Sequence, residues 1–130
     1  MSNYKPDGYQ DVMPYMLVEG AEKFIDFMKE AFGAEELGRY AGDDGRIMHA
    51  AVRIGDTVIE LSEGSGEYAP RQAALHIYVE DVDAVYAKAL AAGATSLAEV
   101  EDKFYGERSG GVTDHSGNHW YIATRIEASE

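Results

Sequence analysis

Two stretches of the chain carry the same order of apolar and polar positions. Residues Tyr15 to Leu37 read YMLVEGAEKFIDFMKEAFGAEEL, and residues Leu75 to Leu97 read LHIYVEDVDAVYAKALAAGATSL. In both, an apolar run passes through Val-Glu into a helix-period segment, and Gly-Ala with a later Leu closes the unit. Val18 matches Val79 at a spacing of 61, whereas Gly33 matches Gly93 and Leu37 matches Leu97 at a spacing of 60. A repeat of this length predicts two copies of one supersecondary unit, and it constrains architecture before any residue is assigned a role.

Within the first copy, Val12 to Val18 reads as a strand entered through Pro14, a residue tolerated at strand starts and edges. Ala21, Phe24, Phe27, Met28 and Ala31 then fall at helical spacing, and Gly33 supplies a left-handed stop. Glu36 to Tyr40, Ile47 to Ile54 and Thr57 to Ser62 read as strands, joined by turns at Asp44-Gly45 and Gly55-Asp56. The order is β-α-β-β-β over about residues 10–63, and GSGEYAPRQ at 64–72 is the connector. The second copy, about residues 73–126, repeats it. Ala74 to Val79 is a strand, and Val82, Val85, Tyr86 and Ala89 form the stripe of a helix with Asp81 as N-cap. Strands follow near Ser96 to Val100, Gly111 to Thr113 and His119 to Arg125. Between them EDKFYGERSG reads as an irregular loop and DHSGN as a turn, and IEASE reads as a frayed tail.

Strand alternation says which side chains share a face. The Gly55-Asp56 hairpin pairs Ile54 with Thr57 and, counting outward, Ala51 with Glu60 and His49 with Ser62. One face then holds His49, Ala51, Arg53, Val58, Glu60 and Ser62. The other holds Met48, Ala50, Val52, Ile59 and Leu61, and is the face a helix is expected to cover. In the second copy Leu75, Ile77, Val79, Trp120 and Ile122 fall under the helix, leaving Ala74, His76, Tyr78, His119, Tyr121 and Ala123 on the other side. Met13, Tyr15 and Leu17 occupy the matching side of the first strand. Polar groups rimmed by aromatic and aliphatic side chains predict a ligand cavity, with an ordinary solvated surface as the alternative for each residue alone. Glu60 in an apolar setting would suit a general base, whereas a salt bridge to Arg53 would make it structural.

Charge narrows the partners. With 24 acidic against 11 basic side chains in 130 residues, the net charge is -13, which repels phosphates and excludes nucleic acid as an expected partner. A cationic or neutral ligand is easier to accommodate, although Arg53 and Arg108 would argue for an anion if both line the cavity. No cysteine is present, so there are no disulfides or thiolate ligands, and a reducing cytoplasmic setting is expected. MSNYKPDGYQ lacks a signal pattern and no apolar run reaches membrane-spanning length, so no membrane association is expected.

The paired units, together with FGAEELGRY, DGRIMHAAVRIGD, LHIYVEDVDAVYAKALAAGA and FYGERSG, resemble the vicinal oxygen chelate superfamily. This is the glyoxalase, bleomycin-resistance and extradiol dioxygenase group, and the likeness is strongest to its PhnB-like branch. The resemblance runs from about Met13 to Thr124. It implies an α+β fold of two βαβββ modules whose curved mixed sheets form a cavity, and a homodimer that completes it. In metal-dependent members the ligands are a His or Gln early in each first strand and a Glu in each last strand. Aligned through Val18 and Val79, those positions are Met13, Ala74, Glu60 and Tyr121 here. Only Glu60 is an expected donor, so no cofactor is expected and a divalent metal is disfavoured. His76 lies two residues beyond the family position. A different site from His49, Glu60, His76 and His119 stays open on parity. The resemblance also puts Phe104 to Ser109 where the family closes its cavity. There Phe104 or Tyr105 could stack on a planar ligand, and Arg108 could hold an anion or brace the loop through Glu107 or Asp114. His115 stands where proline is common in the family's turn, in a structural role.

Two function classes follow. One is a lyase or isomerase acting on a small carbonyl compound, with Glu60 as base and His49 or His76 assisting. The other is a metal-free binding or drug-sequestering protein. In either case Met13, Tyr15, Arg53, Tyr105, Arg108, His119 and Tyr121 are the expected ligand contacts.

Overall fold

A computed structural model describes residues 4–126. The first repeat folds as β1 (Tyr15–Val18), α1 (Ala21–Phe32), β2 (Glu35–Ala41), β3 (Ile47–Ile54) and β4 (Thr57–Glu63). The second folds as β5 (Ala74–Tyr78), α2 (Val82–Ala91), β6 (Thr95–Lys103), β7 (Glu107–Thr113) and β8 (His119–Arg125). Each makes a four-stranded sheet, ordered β1-β4-β3-β2 and β5-β8-β7-β6. The β1–β4 and β5–β8 pairs are parallel and the remaining neighbours antiparallel. In register Tyr15 faces Glu60 and His76 faces Tyr121, so the spacing of 61 holds across paired strands as well as along the chain. Among the described residues no helix is long and apolar enough to cross a membrane.

The periodic positions form the core. Helix α1 buries Ala21, Phe24, Ile25, Phe27, Met28 and Ala31, and it stops at Gly33, where a φ of 67° suits a residue without a Cβ. Its N-terminus has no side-chain cap of its own, because Gly20 stands at the cap position. The Glu63 carboxylate reaches back from the end of β4 instead and accepts from the Gly20 and Ala21 N–H groups, each at 2.8 Å. Sixty-one residues later Thr124 Oγ1 does the corresponding work: it accepts from Val82 N–H at 2.9 Å and donates to Val79 O at 2.8 Å. Asp81 also caps α2, accepting from Ala84 N–H at 3.2 Å. These bonds satisfy donors that a helix start leaves open.

The two helices pack on each other, and the helix-covered sides of both sheets feed one continuous core. Trp120 of β8 joins the modules: its ring lies 4.7 Å from Phe32 and 6.3 Å from both Phe24 and Phe27, centroid to centroid. His115 adds a polar joint, its Nε2 lying 2.9 Å from Glu19 O at the entry to α1. The shared core uses the helix side of each sheet, and the helix-free faces carry exposed side chains, Tyr15 and Tyr40 on the first and Tyr78 and Tyr121 on the second.

Three expectations need correction. The first strand begins at Tyr15, not Val12, and Met13 lies before it, half-buried. Pro14 has no N–H, and the ladder is continued there only by Glu60 N–H donating to Pro14 O at 2.9 Å. Met48 is not in the core. Tyr40 pairs with His49 and Ala41 with Ile47, so Met48 is the extra residue of a bulge; it is 65% exposed while Ile47 is buried. Nor is EDKFYGERSG irregular, since β6 runs to Lys103 and β7 starts at Glu107, leaving Phe104 to Gly106 as a tight turn with Gly106 at φ 93°. Of the expected frayed tail, Ile126 is exposed and residues 127–130 lie outside the described residues.

A charged cluster ties β2 to α1. Arg39 donates to Glu36 at 2.6 Å and to Glu22 at 2.7 Å, and Lys29 lies 3.2 Å from Glu36. The hydrogen bond from Arg39 is the main reason that the Glu36 carboxyl is held down to about 2. A depressed carboxyl contributes stability above its unfolded pKa, and that contribution is lost as pH falls through the folded value. Acid titration of wild type should therefore show a fall in stability between the usual glutamate range and about pH 2 that Glu36→Gln lacks. Parallel acid curves for the two proteins would remove this contribution.

Candidate functional site

On the outward face of the first sheet, β1, β3 and β4 bring Tyr15, His49 and Glu60 together. His49 Nε2 lies 3.6 Å from Glu60 Oε2, and the Tyr15 hydroxyl lies 3.4 Å from His49 Nδ1. The imidazole is thus held between a phenol and a carboxylate, with the Tyr15 and Tyr40 rings 5.8 and 6.4 Å away. Arg53 does not join Glu60; its guanidinium donates to Glu35 across the β2–β3 ladder at 2.6 Å. Next to the cluster lies a depression of about 700 Å³ lined by Tyr15, Leu17, Arg46, Met48, Ser62 and Tyr68 among others. Met48 reaches it because of the bulge, and Tyr68 because the connector folds back, with a Ser65–Tyr68 bridge and Arg71 N–H donating to Leu17 O.

The outward face of the second sheet is organised on a residue that sequence reasoning passed over. Glu107, at the start of β7, is 8% exposed. Its Oε2 lies 3.2 Å from His76 Nε2, and its Oε1 accepts from the Tyr78 hydroxyl at 3.3 Å. The negative charge of Glu107, together with burial, raises the Tyr78 phenol above its ordinary value. The His76 and Tyr78 rings lie 4.6 Å apart. A cavity of about 260 Å³ opens here between His76, Lys103, Tyr105, Glu107, Ser109 and Tyr121, among others. The signal that would have found Glu107 is the repeat itself: Ile47 opens β3, and sixty residues later Glu107 opens β7.

Other expected contacts fall elsewhere. Arg108 points from β7 toward α2, donating to Asp83 at 2.9 and 3.0 Å and to Asp102 at 3.0 Å, away from the Glu107 cavity. Neither expected brace, Glu107 or Asp114, is its partner. Asp114 is instead buried and accepts from Ser116 N–H, Asn118 N–H and Trp120 Nε1 at 2.9, 3.0 and 2.8 Å. Tyr105 lines the smaller cavity, whereas Phe104 is 98% exposed and packs edge-on against Tyr105. His119 stands edge-on to Tyr121 at 6.3 Å on the second sheet.

The expected single cavity is divided. His49 and Glu60 belong to one outward face, and His76 and His119 to the other, so the four do not converge within a chain. Among the described residues no group of three or more His, Asp or Glu side chains is placed to hold a metal ion. The family's four ligand positions do not fit one either. Ala74 offers no donor, Met13 a soft thioether, and Tyr121 a phenol, which leaves Glu60 as the lone hard donor.

Paired βαβββ units, each a mixed four-stranded sheet covered on one side by a helix, define a two-module cavity protein. The chain belongs to the Glyoxalase/Bleomycin resistance protein/Dioxygenase superfamily, whose model matches residues 12–122. It is 39% identical over 124 residues to an uncharacterized Mycobacterium bovis protein, covering 87% of this chain and 82% of the relative. Among solved structures it is similar to TnmS3, an antibiotic binding protein from Streptomyces sp. CB03234, with a TM-score of 0.68 and 22% identity, covering 90% of this chain and 99% of that one. It is also similar to the PhnB protein of Bacillus cereus, with a TM-score of 0.69 and 18% identity over 88% and 99% of the two chains. At these identities the structural likenesses establish the fold.

Proposed function

We propose that the chain binds an aromatic small molecule without a metal, in clefts that a second copy of the chain completes. The observation that carries this reading is the chemistry of the outward faces, which among the described residues gather no three metal-donor side chains and are rich in exposed rings. Tyr15, Tyr40, Tyr78 and Tyr105 are 50, 73, 67 and 61% exposed in the single chain. Side chains of this kind on open sheet faces fit surfaces that are covered when the protein is assembled and loaded. A helix lids each sheet on one side only, and a twofold pairing of first face with second face would lid the other. The likeness to an antibiotic binding protein agrees with this reading.

A second reading is proton transfer on a small carbonyl compound. The Tyr15–His49–Glu60 arrangement favours it, with Glu60 as base and His49 assisting. Native mass spectrometry of untagged protein, with elemental analysis and a glyoxalase turnover assay of the same sample, separates the two. Binding without metal predicts a dimer mass, an organic ligand retained or taken up, and negligible zinc, nickel, iron, cobalt and manganese. Glu60→Gln should leave metal content unchanged. Near-stoichiometric metal that Glu60→Gln loses, or glyoxalase turnover restored by added metal, would overturn the binding reading.

A further inference from the structure

We propose that the cavity on the second sheet receives an organic cation, an alkyl- or quaternary ammonium group, with Glu107 as counter-charge and Tyr105 and Tyr121 as walls. This rests on the metal-free binding reading and adds to it the sign of the ligand and the place where the charge sits.

A carboxylate on the outward face of a sheet would ordinarily be solvated, yet the Glu107 side chain is 11% exposed. Two groups reach it: the Tyr78 hydroxyl donates to Oε1, and His76 Nε2 lies 3.2 Å from Oε2. A phenol hydroxyl orients a carboxylate and leaves its negative charge in place. Among the described residues His76 is the group within ion-pair distance of Glu107, and it is charged only if protonated. Lys103 lines the same cavity, but its ammonium lies 3.3 Å from Glu101. Each Glu107 oxygen accepts one of these bonds, and a carboxylate has capacity for about four in all.

The surroundings suit a cation better than the other candidates. Tyr105 and Tyr121 line the space beside the carboxylate, and phenol faces attract ammonium groups by their quadrupole. A divalent metal would find one carboxylate and one imidazole already bonded to each other, too few donors for a stable site. An anion would meet the Glu107 charge directly. The raised Tyr78 phenol shows the same field acting on a neighbour, since deprotonating it would set a second negative charge beside Glu107.

The test uses the full chain and two probes of one shape, benzyltrimethylammonium and its neutral isostere neopentylbenzene, in ligand-detected NMR competition. Wild type should prefer the cation by about tenfold, and Glu107→Gln should erase that preference while leaving neopentylbenzene affinity unchanged. Tyr105→Ala alters an exposed turn, so it keeps the test open should Glu107→Gln fail to fold. It should weaken the cation more than the neutral probe. Equal binding of both probes to wild type, a preference that survives Glu107→Gln, or one undiminished in Tyr105→Ala overturns the cation site and leaves metal-free aromatic binding standing. If neither probe binds, both readings fall.

Discussion

Replacing Trp120 by alanine is expected to cost about 3–5 kcal/mol of stability, the range for truncating a large buried aromatic. The ring is 1% exposed and contacts three phenylalanines of the other module, Phe24, Phe27 and Phe32. The cavity left behind would open at the junction between repeats, where two halves must move together to close it. Against a total stability of about 5–15 kcal/mol for a domain, this is enough to populate the unfolded state under mild denaturation. Trp120 is the sole tryptophan, so urea unfolding should be followed by circular dichroism rather than by emission. A loss below about 1 kcal/mol would show that the modules are held together by something other than this cluster.

Asp114→Ala should be nearly as damaging, through polar rather than apolar loss. Its carboxylate receives the Ser116 and Asn118 N–H groups, the Asn118 amide and the Trp120 indole N–H, inside a turn where Asp114 and Asn118 are 4% and 0% exposed. Alanine would leave several buried donors unpaired at once, and each such donor costs about 1–3 kcal/mol. We expect a combined loss of about 3 kcal/mol, and slower amide exchange protection would disappear first at Ser116 and Asn118. Because Asp114 and Trp120 share a bond, the double variant should lose less than the sum of the two. Full additivity would mean that the Asp114–Trp120 bond at 2.8 Å contributes nothing.

How far the sequence foretold this molecule depended on whether a feature was periodic. The helix stripes, the Gly33 stop, the Asp81 cap and the Gly55-Asp56 register all follow from local rules, and the structure has each of them. Met48 broke the alternation because a bulge is set by the partner strand, and nothing in IMHAAVRI alone announces it. Glu107 was overlooked because its strand opens with ERSGG, a run too polar and glycine-rich to read as a ladder. The packing of module on module was not legible either, since parity fixes a face and not where that face points. That is why His49 and His76, both on helix-free faces, belong to two different sheets and to no common cluster.

Glu63 and Thr124 occupy equivalent positions and secure equivalent helix starts, one with a carboxylate and the other with a hydroxyl. What the two halves have in common at that position is a bond to be made, not a letter. A comparison of the repeats by residue identity therefore understates their kinship, since it scores as a mismatch a place where both copies still obey the same rule. Drift is free to exchange the residue as long as the open N–H is answered.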